Sequence, residues 1–439
     1  MSERTILVLG ASGLIGRFVT DDLRARGYRV VGVARSLSPA QRMSALDIEL
    51  PILILDAAAL MRLLSEQAVD IVVNCLGVLQ DGPGSNTSAV HRDFVARLLQ
   101  AIRGSGRAIR LVHISIPGTA EADRTAFATT KREAERLIGA SGIPHAILRP
   151  GFVVAPSAYG GSAMLRALAA FPVDLPAKEM ATPIQPVAIQ DISATIAWLA
   201  ARVIGDASVR AVSWDLMQAE PVTMAGVIKP FRHAFGTAGW PRIAMPRFLL
   251  DLGAKLGDVA SYLGWMPPMR STAIAELRRG VAGDPSAWIA ATGIAPKTLA
   301  EAIGRHPASI QDKWFARLFL VKALIFASLV AFWVVSGFIA LFVSYRAAAG
   351  ILTAHDFPHA LVDPITIGTS LMDMSIGVLI AFRRTAAVGL IAGIFASLGY
   401  MVGAAILTPD LWIEPVGALV KTGPAIVLMV VALLMLDNR

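Results

Sequence analysis

Along the first 150 residues, short apolar runs recur between stretches with helical spacing. Residues 5–9 (TILVL) form a continuous apolar run of strand length, followed by glycines and a predicted helix to about residue 26. Further strands are predicted at 29–34 (RVVGVA), 52–55, 70–76 (DIVVNCL), 110–116 (RLVHISI) and 145–149. Helices are predicted from residue 57 to 64, over 89–103 and over 129–141. Continuous apolar strands alternating with helices predict a parallel sheet covered on both faces. Beyond about residue 205 the alternation fades. Residues 221–310 read as mixed and largely helical, with Trp240, Trp265 and Trp288 among Pro- and Gly-rich breaks.

The pattern changes again near Arg317. Residues 324–343 and 386–407 contain no charged side chain, and a hydrocarbon core about 30 Å thick is crossed by roughly 20 such residues in a helix. Residues 363–382 and 416–436 complete four predicted spans. The expected fold class is therefore an α/β Rossmann domain, a doubly wound parallel sheet, over 1–205. A small mixed, largely helical cap follows over 206–312, and an all-α four-helix transmembrane bundle over 313–439.

Composition sharpens this division. Hydrophobic residues make up 55% of the chain and the mean hydropathy is +0.60, an excess supplied by the C-terminal runs. One cysteine, Cys75, excludes an intrachain disulfide. The net charge of +8 is scattered, with no basic patch interleaved with aromatics, so nucleic acid is not an expected partner. An anionic bilayer surface is the expected use of that charge. No signal-peptide pattern precedes the first strand, and Arg383-Arg384 fill the short second loop. By the positive-inside rule the soluble part and both termini are expected in the cytoplasm, at the inner membrane.

Gly10-x-x-Gly13-x-x-Gly16 lies between a predicted strand and a predicted helix. Glycines there allow a tight turn and close approach of a pyrophosphate, whose charge is met by the helix N-terminus. Asp56 ends the predicted third strand and reads equally as a helix N-cap. The second strand ends on Arg35, where an acidic residue would accept hydrogen bonds from a ribose 2′-hydroxyl. A guanidinium there clamps a 2′-phosphate instead, so NADP is the expected cofactor and NAD the other candidate.

The GxxGxxG spacing resembles the short-chain dehydrogenase/reductase superfamily, and further motifs carry the resemblance. They are Val73-Asn74-Cys75-Leu76-Gly77, Ser115 closing the fifth strand, Leu148-Arg149-Pro150-Gly151 with Val153-Val154-Ala155-Pro156, and Pro186-Val-Ala-Ile-Gln-Asp191-Ile. Together they resemble the extended and atypical branches over about the first 200 residues. The resemblance implies cofactor contacts from Gly10, Ser12, Gly13, Leu14, Ile15, Gly16, Arg35, Asp56 (toward adenine), Leu76, Gly77 and Lys131. It also implies a catalytic role for Lys131 and Ser115. The family's catalytic Tyr-x-x-x-Lys is here Phe127-Ala-Thr-Thr-Lys131, and phenylalanine carries no transferable proton. Three readings stay open. The first is reduction with another proton donor, Tyr159, Lys131 or Ser115; isoflavone-reductase-like members also keep the lysine without the tyrosine. The second is cofactor binding without turnover, as in NmrA-like sensors and the complex I accessory subunit of this branch. The third is a structural domain that keeps its cofactor for stability.

The seven histidines are dispersed, with no metal-ligand spacing, so no metal site is expected. His113 and Ser115 lack the nucleophile elbow of a hydrolase. Asp373 falls near the middle of the second predicted span, where a charge is costly. An ion pair with Lys421, or Lys421 snorkelling to the interface, is one expectation and a functional role for Asp373 the other. The run from Pro409-Asp410-Leu-Trp412 through Glu414-Pro415 to Lys421 and Pro424 resembles the last span of the DoxX-like membrane family. The whole reads as a membrane-anchored NADP-dependent oxidoreductase-like protein. Its expected partners are the bilayer and a hydrophobic small molecule such as a lipid, isoprenoid or quinone, and self-association is left open. The contrasting reading is a non-catalytic NADPH-binding sensor or assembly protein.

Overall fold

The computed structural model describes residues 4–158, 160–304, 308–413 and 417–436. The chain divides into two compact units. The first comprises residues 1–258 and 268–316, the second residues 259–267 and 317–439.

In the first unit, seven strands form one sheet: β1 Thr5–Leu9, β2 Arg29–Ala34, β3 Asp47–Glu49, β4 Ile71–Asn74, β5 Arg110–Ile114, β6 His145–Pro150 and β7 Ala211–Leu216. Their order is β7-β6-β5-β4-β1-β2-β3, and every neighbouring pair is parallel. The strand order reverses between β1 and β4, where a doubly wound sheet opens its ligand crevice.

Alternate residues of each strand feed opposite faces. Ile6, Val8, Val30, Ile71, Val73 and Val112 pack with Val19 and Leu23 of helix α1 (Leu14–Ala25) on one side. Leu7, Leu9, Val31, Val33, Val72 and Leu111 pack on the other. Their partners are α2 (Ala57–Glu66), α3 (Phe94–Gly104) and α4 (Ala126–Gly139). Helix α5 (Ile189–Ala201) joins α1, with Ile192 and Ile196 in the same core as Trp288. Asp191, in the first turn of α5, is fully buried, pairs with Lys297 Nζ and accepts from the Lys297 amide at 2.8 Å.

Two parts of the sheet differ from the sequence expectation. The third strand is β3, not residues 52–55, which hold a single 3₁₀ turn, Ile52–Ile54. The carboxylate of Asp47, the first residue of this strand, accepts from Arg24 at 2.7 and 3.2 Å, so a charged, three-residue segment is held in the sheet by an ion pair. A seventh strand, β7, adds to the sheet edge beyond β6 within the region expected to be mixed and helical.

In the second unit, three helices are long and apolar enough to cross a membrane by length and composition: Ile310–Val343 (which begins in the first unit), His359–Ala381 and Ala386–Leu407. A shorter apolar helix, Ala418–Leu434, follows. The expected start of the fourth span, residue 416, lies outside the described residues, as do Glu414 and Pro415. Trp333, Phe326, Leu329, Ile376, Ile380, Leu390 and Met429 form the bundle core. A Cβ on Gly377 would press within 2.9 Å of the Val334 amide, and one on Gly389 within 2.8 Å of the Ile380 amide; glycine at both points lets the backbones touch. The expected Asp373–Lys421 ion pair is not formed among the described residues. Asp373 instead accepts a hydrogen bond from the Tyr400 hydroxyl at 2.7 Å. A phenol can satisfy a carboxylate inside the bundle without carrying a compensating charge.

Trp288 is fully buried and its Nε1–H donates to Thr195 Oγ1 at 3.0 Å. Trp288→Ala is expected to destabilise the first unit by about 3–5 kcal/mol. The check is urea denaturation of the full-length protein in detergent, with proteolysis of residues 1–258 as the readout.

Candidate functional site

The glycine segment begins where β1 ends. Gly10 turns with φ +82°, and both its amide and that of Ala11 donate to Val33 O at 2.8 and 3.1 Å. Gly13 N-caps α1 with no side chain of its own. Gly16 lies so close to the turn that a Cβ would sit 2.8 Å from the Gly10 carbonyl carbon. The first amides of α1, from Leu14, Ile15 and Gly16, precede the helical ladder and are the donors such a terminus offers an anion. Ser12 is partly buried between them. The loop is braced from outside by Gln41, whose buried amide donates to Ala11 O at 2.9 Å.

The adjacent strand end completes the crevice. A Cβ on Gly10 would stand 3.3 Å from the Cys75 carbonyl and the Leu76 side chain, so the turns after β1 and β4 abut. Leu76 is fixed by its amide donating to Asn74 Oδ1 at 3.1 Å. From α4, buried Lys131 donates to Leu76 O at 3.2 Å and to Ile114 O at 2.8 Å. One of its three N–H groups is uncommitted among the described residues. Gly77 is exposed, and a Cβ there would be 3.8 Å from Lys131 Nζ and from His91 Nε2. Gly10, Gly13, Gly16, Leu76, Gly77 and Lys131 thus share one crevice at the strand-order reversal.

Burial lowers the Lys131 ammonium to a pKa of about 8, partly offset by Cys75 and Glu135. Burial likewise pushes the Cys75 thiol up to about 12, which leaves it an unreactive apolar neighbour.

His91 is the residue that sequence reasoning missed. It sits in a π turn, Ala89–Asp93, at the start of the α3 segment. Its Nε2 accepts from the Val78 amide at 3.1 Å, so in the neutral ring Nδ1 carries the proton and donates to Thr130 Oγ1 at 2.8 Å. Burial, and then Lys131, lower its pKa to about 3, so the ring is neutral at any physiological pH. Phe127 lies four residues before Lys131 on the same face of α4 and meets the His91 ring edge-on, with centroids 5.6 Å apart. A lone histidine with no metal spacing gives no sequence signal, and only the fold places it beside the lysine.

The remaining predicted residues divide. Arg35 is exposed just after β2 and forms no hydrogen bond or ion pair among the described residues, so its guanidinium is free for a ligand. The Asp56 carboxylate accepts from Ala59 N at 2.7 Å and caps α2, which is the capping alternative of the sequence reading. Ser115, just after β5, is buried. Its hydroxyl makes no hydrogen bond of good geometry, yet it lies near enough to Glu135 to help lower that carboxyl. Tyr159 lies outside the described residues.

Behind the site a buried charge network holds the loop after β5. Arg132 donates to the carbonyls of Ile116, Pro117 and Gly118 and to Asp123 and Glu135. Arg279 donates to Pro117 O at 3.2 Å and Asp123 at 3.0 Å, and Arg149 clamps Glu135 bidentately at 2.7 and 2.9 Å. Burial alone would raise the Glu135 carboxyl, but the hydrogen bonds from Arg149, the nearby Ser115 hydroxyl and the charges of Arg149 and Arg132 bring it below its usual range.

No metal-binding cluster occurs among the described residues. The glycine cradle, the free helix amides and the exposed Arg35 fit a dinucleotide.

Residues 6–175 match the NAD dependent epimerase/dehydratase family, and residues 330–430 match the DoxX-like family. A 3-diazoavenalumate denitrifying reductase from Streptomyces sp is 31% identical over 195 residues, 37% of this chain and 62% of that protein. The chloroplastic divinyl chlorophyllide a 8-vinyl-reductase of Zea mays is 36% identical over 117 residues, 24% of this chain and 29% of that protein. The chain therefore spans less than two thirds of either curated relative. Among solved structures, the UDP-glucuronic acid 4-epimerase of Bacillus cereus with UDP-glucuronic acid and NAD superposes with a TM-score of 0.52 at 15% identity. That match covers 72% of this chain and 99% of the epimerase. The UDP-glucose 4-epimerase of Thermotoga maritima with UDP-glucose gives 0.52 at 15% identity over 73% and 99%. At that identity the likeness is one of fold.

Lys131 also makes stability depend on pH. Its folded pKa of about 8 lies below the ordinary 10.5, so between those values the unfolded chain holds more protons and stability rises with pH. Below about pH 8 both states are protonated and the folded state bears the full cost of the buried charge, about 3 kcal/mol. Urea titrations of wild type and Lys131→Met from pH 7 to 10.5 are expected to give a rising limb in the wild type that is absent in the variant.

Proposed function

We propose that this extended short-chain dehydrogenase/reductase domain, joined to a DoxX-like membrane domain, is an NADP(H)-dependent reductase. The observation that carries the reading is the buried Lys131 ammonium, aimed between the ends of β4 and β5 beside the glycine turn. Bound in that crevice, the dinucleotide supplies a hydride. Gly10, Gly13 and Gly16 admit its pyrophosphate to the α1 amides. Arg35, free and exposed at the end of β2, meets a 2′-phosphate. Lys131 holds the ribose and, protonated at neutral pH, delivers a proton to the anion that hydride transfer leaves on the substrate. It takes the place of the absent tyrosine. Both curated relatives are reductases by name, which supports reduction over epimerisation. The substrate we favour is hydrophobic, a lipid, isoprenoid or quinone, reached by a cytoplasmic domain held at the membrane by its bundle.

One observation favours a second reading, that of an NADPH-binding sensor or assembly protein without turnover. Phe127 and the neutral His91 ring form an apolar, proton-poor wall where a hydroxyl acid would stand.

Two measurements test the proposal. Arg35→Ala is expected to weaken NADPH binding at least tenfold and NADH binding little, corresponding to about 1.4 kcal/mol or more for a lost charge-assisted contact. Equal loss for both cofactors rejects the NADP assignment. NADPH oxidation in nanodiscs, tested against membrane quinones and lipid carbonyls, is expected to fall as pH rises through about 8, where Lys131 loses its proton. In Lys131→Arg the falling limb moves upward, because a guanidinium stays protonated. A limb that does not move assigns the proton to another group, and tight NADPH binding with no oxidation by any acceptor supports the sensor.

A further inference from the structure

Helix α6, Arg247–Tyr262, has the wrong surface for water. Leu250, Ala254, Gly257 and Ser261, at helical spacing, form its buried stripe. Its flank is tied down by polar groups: Asp251 accepts from Arg278 at 2.8 Å, and Asp258 accepts from Gln80 at 2.7 Å and from the Ser271 amide at 3.2 Å. A surface helix of a soluble protein turns polar residues outward from such a core. Here the side opposite the buried stripe carries Phe248, Leu252, Leu256 and Val259, all exposed, and Tyr262 and Met266 continue the apolar run. The helix is apolar on both sides, and its protein partner covers one.

The second unit indicates what covers the other. Residues 259–267, the end of α6 and the turn after it, belong to the membrane bundle. Trp265 Nε1–H donates to Ala381 O, the last residue of His359–Ala381, at 2.7 Å, and the Arg383 amide donates to Leu263 O at 2.9 Å. The Trp265 ring packs at a tilt of 52° against Phe326 with centroids 4.5 Å apart, and Arg383 donates to Leu436 O at 2.5 Å. The chain after α6 is therefore fastened where the second long apolar helix ends and the fourth helix finishes, at one rim of the bundle. Exposed Lys255 shares this outward side, where the long stem of a lysine can carry its charge to a headgroup layer.

We propose that α6 is an interfacial helix whose outer face, Phe248, Leu252, Leu256, Val259, Tyr262 and Met266, lies in the headgroup–acyl boundary of the bilayer. The inference is independent of the cofactor and of turnover.

Hydroxyl-radical labelling of the wild-type, full-length protein in nanodiscs of phosphatidylcholine and phosphatidylglycerol tests this without a substitution. Met43 and Met266 are exposed to similar extents, 89% and 81%. Met43 is expected to keep its labelling in the bilayer, whereas Met266, Phe248 and Tyr262 lose theirs. Equal labelling of the two methionines overturns the proposal. A second measurement separates lipid from protein as the cover. Nitroxides on Leu252→Cys and Leu256→Cys in the same nanodiscs should collide readily with oxygen and poorly with a nickel chelate. That behaviour should match a label at Phe395→Cys on the exposed face of the helix Ala386–Leu407, after subtraction of the signal from wild type carrying only Cys75. Nickel access equal to that at exposed Glu66→Cys, or poor access for both reagents as a second copy of the chain would cause, overturns it.

Discussion

The candidate site depends on one cation held by backbone. Lys131 bridges the carbonyl oxygens of Ile114 and Leu76, which lie on neighbouring strand ends at the crevice of the sheet. An ammonium removed from water is tolerated only where its hydrogen bonds are supplied, and here two come from the scaffold itself. The arrangement therefore couples α4 to β4 and β5 at the point where the glycine turn abuts Leu76. Burial keeps the neighbouring His91 neutral, and the cation reinforces it, so Phe127 stands against an uncharged ring rather than against an acid.

Around this centre the protein spends charge on loop geometry. Arg132 and Arg279 hold the carbonyls of residues 116–118, and their carboxylate partners Asp123 and Glu135 are themselves buried. Breaking one member of such a network leaves another uncompensated. The loop after β5 is thereby fixed by side chains from α4 and from a segment more than 150 residues away, which makes the later part of the first unit a structural requirement of the site. Arg35, by contrast, forms no hydrogen bond or ion pair among the described residues.

Much of this was legible in the sequence, for identifiable reasons. β1, β2, β4, β5 and β6 are apolar on both faces and bounded by glycine, asparagine or proline, so their pattern survives without knowledge of neighbours. β3 and β7 were not legible. The first is three residues with two carboxylates, stabilised by Arg24 from α1. The second is an edge strand, half exposed, whose alternation is diluted by Ser213 and Asp215. At the site, the glycine turn and Lys131 have spacing that the sequence displays, and the fold brings them to one crevice. His91 displays none, because its role arises from Val78 and Thr130, residues that only folding brings to it. The partner of Asp373 is hidden differently: it is Tyr400, an uncharged donor within an apolar run, rather than a basic residue.

The π turn at Ala89–Asp93 closes with the Phe94 amide donating to Ala89 O, five residues back rather than four. One residue more than an α-helix needs is thus lodged in this turn. Its effect is one of phase. The residues of α3 beyond it keep Phe94, Leu98 and Ile102 on the sheet, while His91 within it is turned toward Lys131. Loss of Arg92 or Asp93 would restore a regular helix and carry the imidazole about 100° around the axis relative to α3, away from the crevice. This stretch of the chain is therefore strict about its length as well as its composition, a requirement that an inspection of side chains alone would overlook.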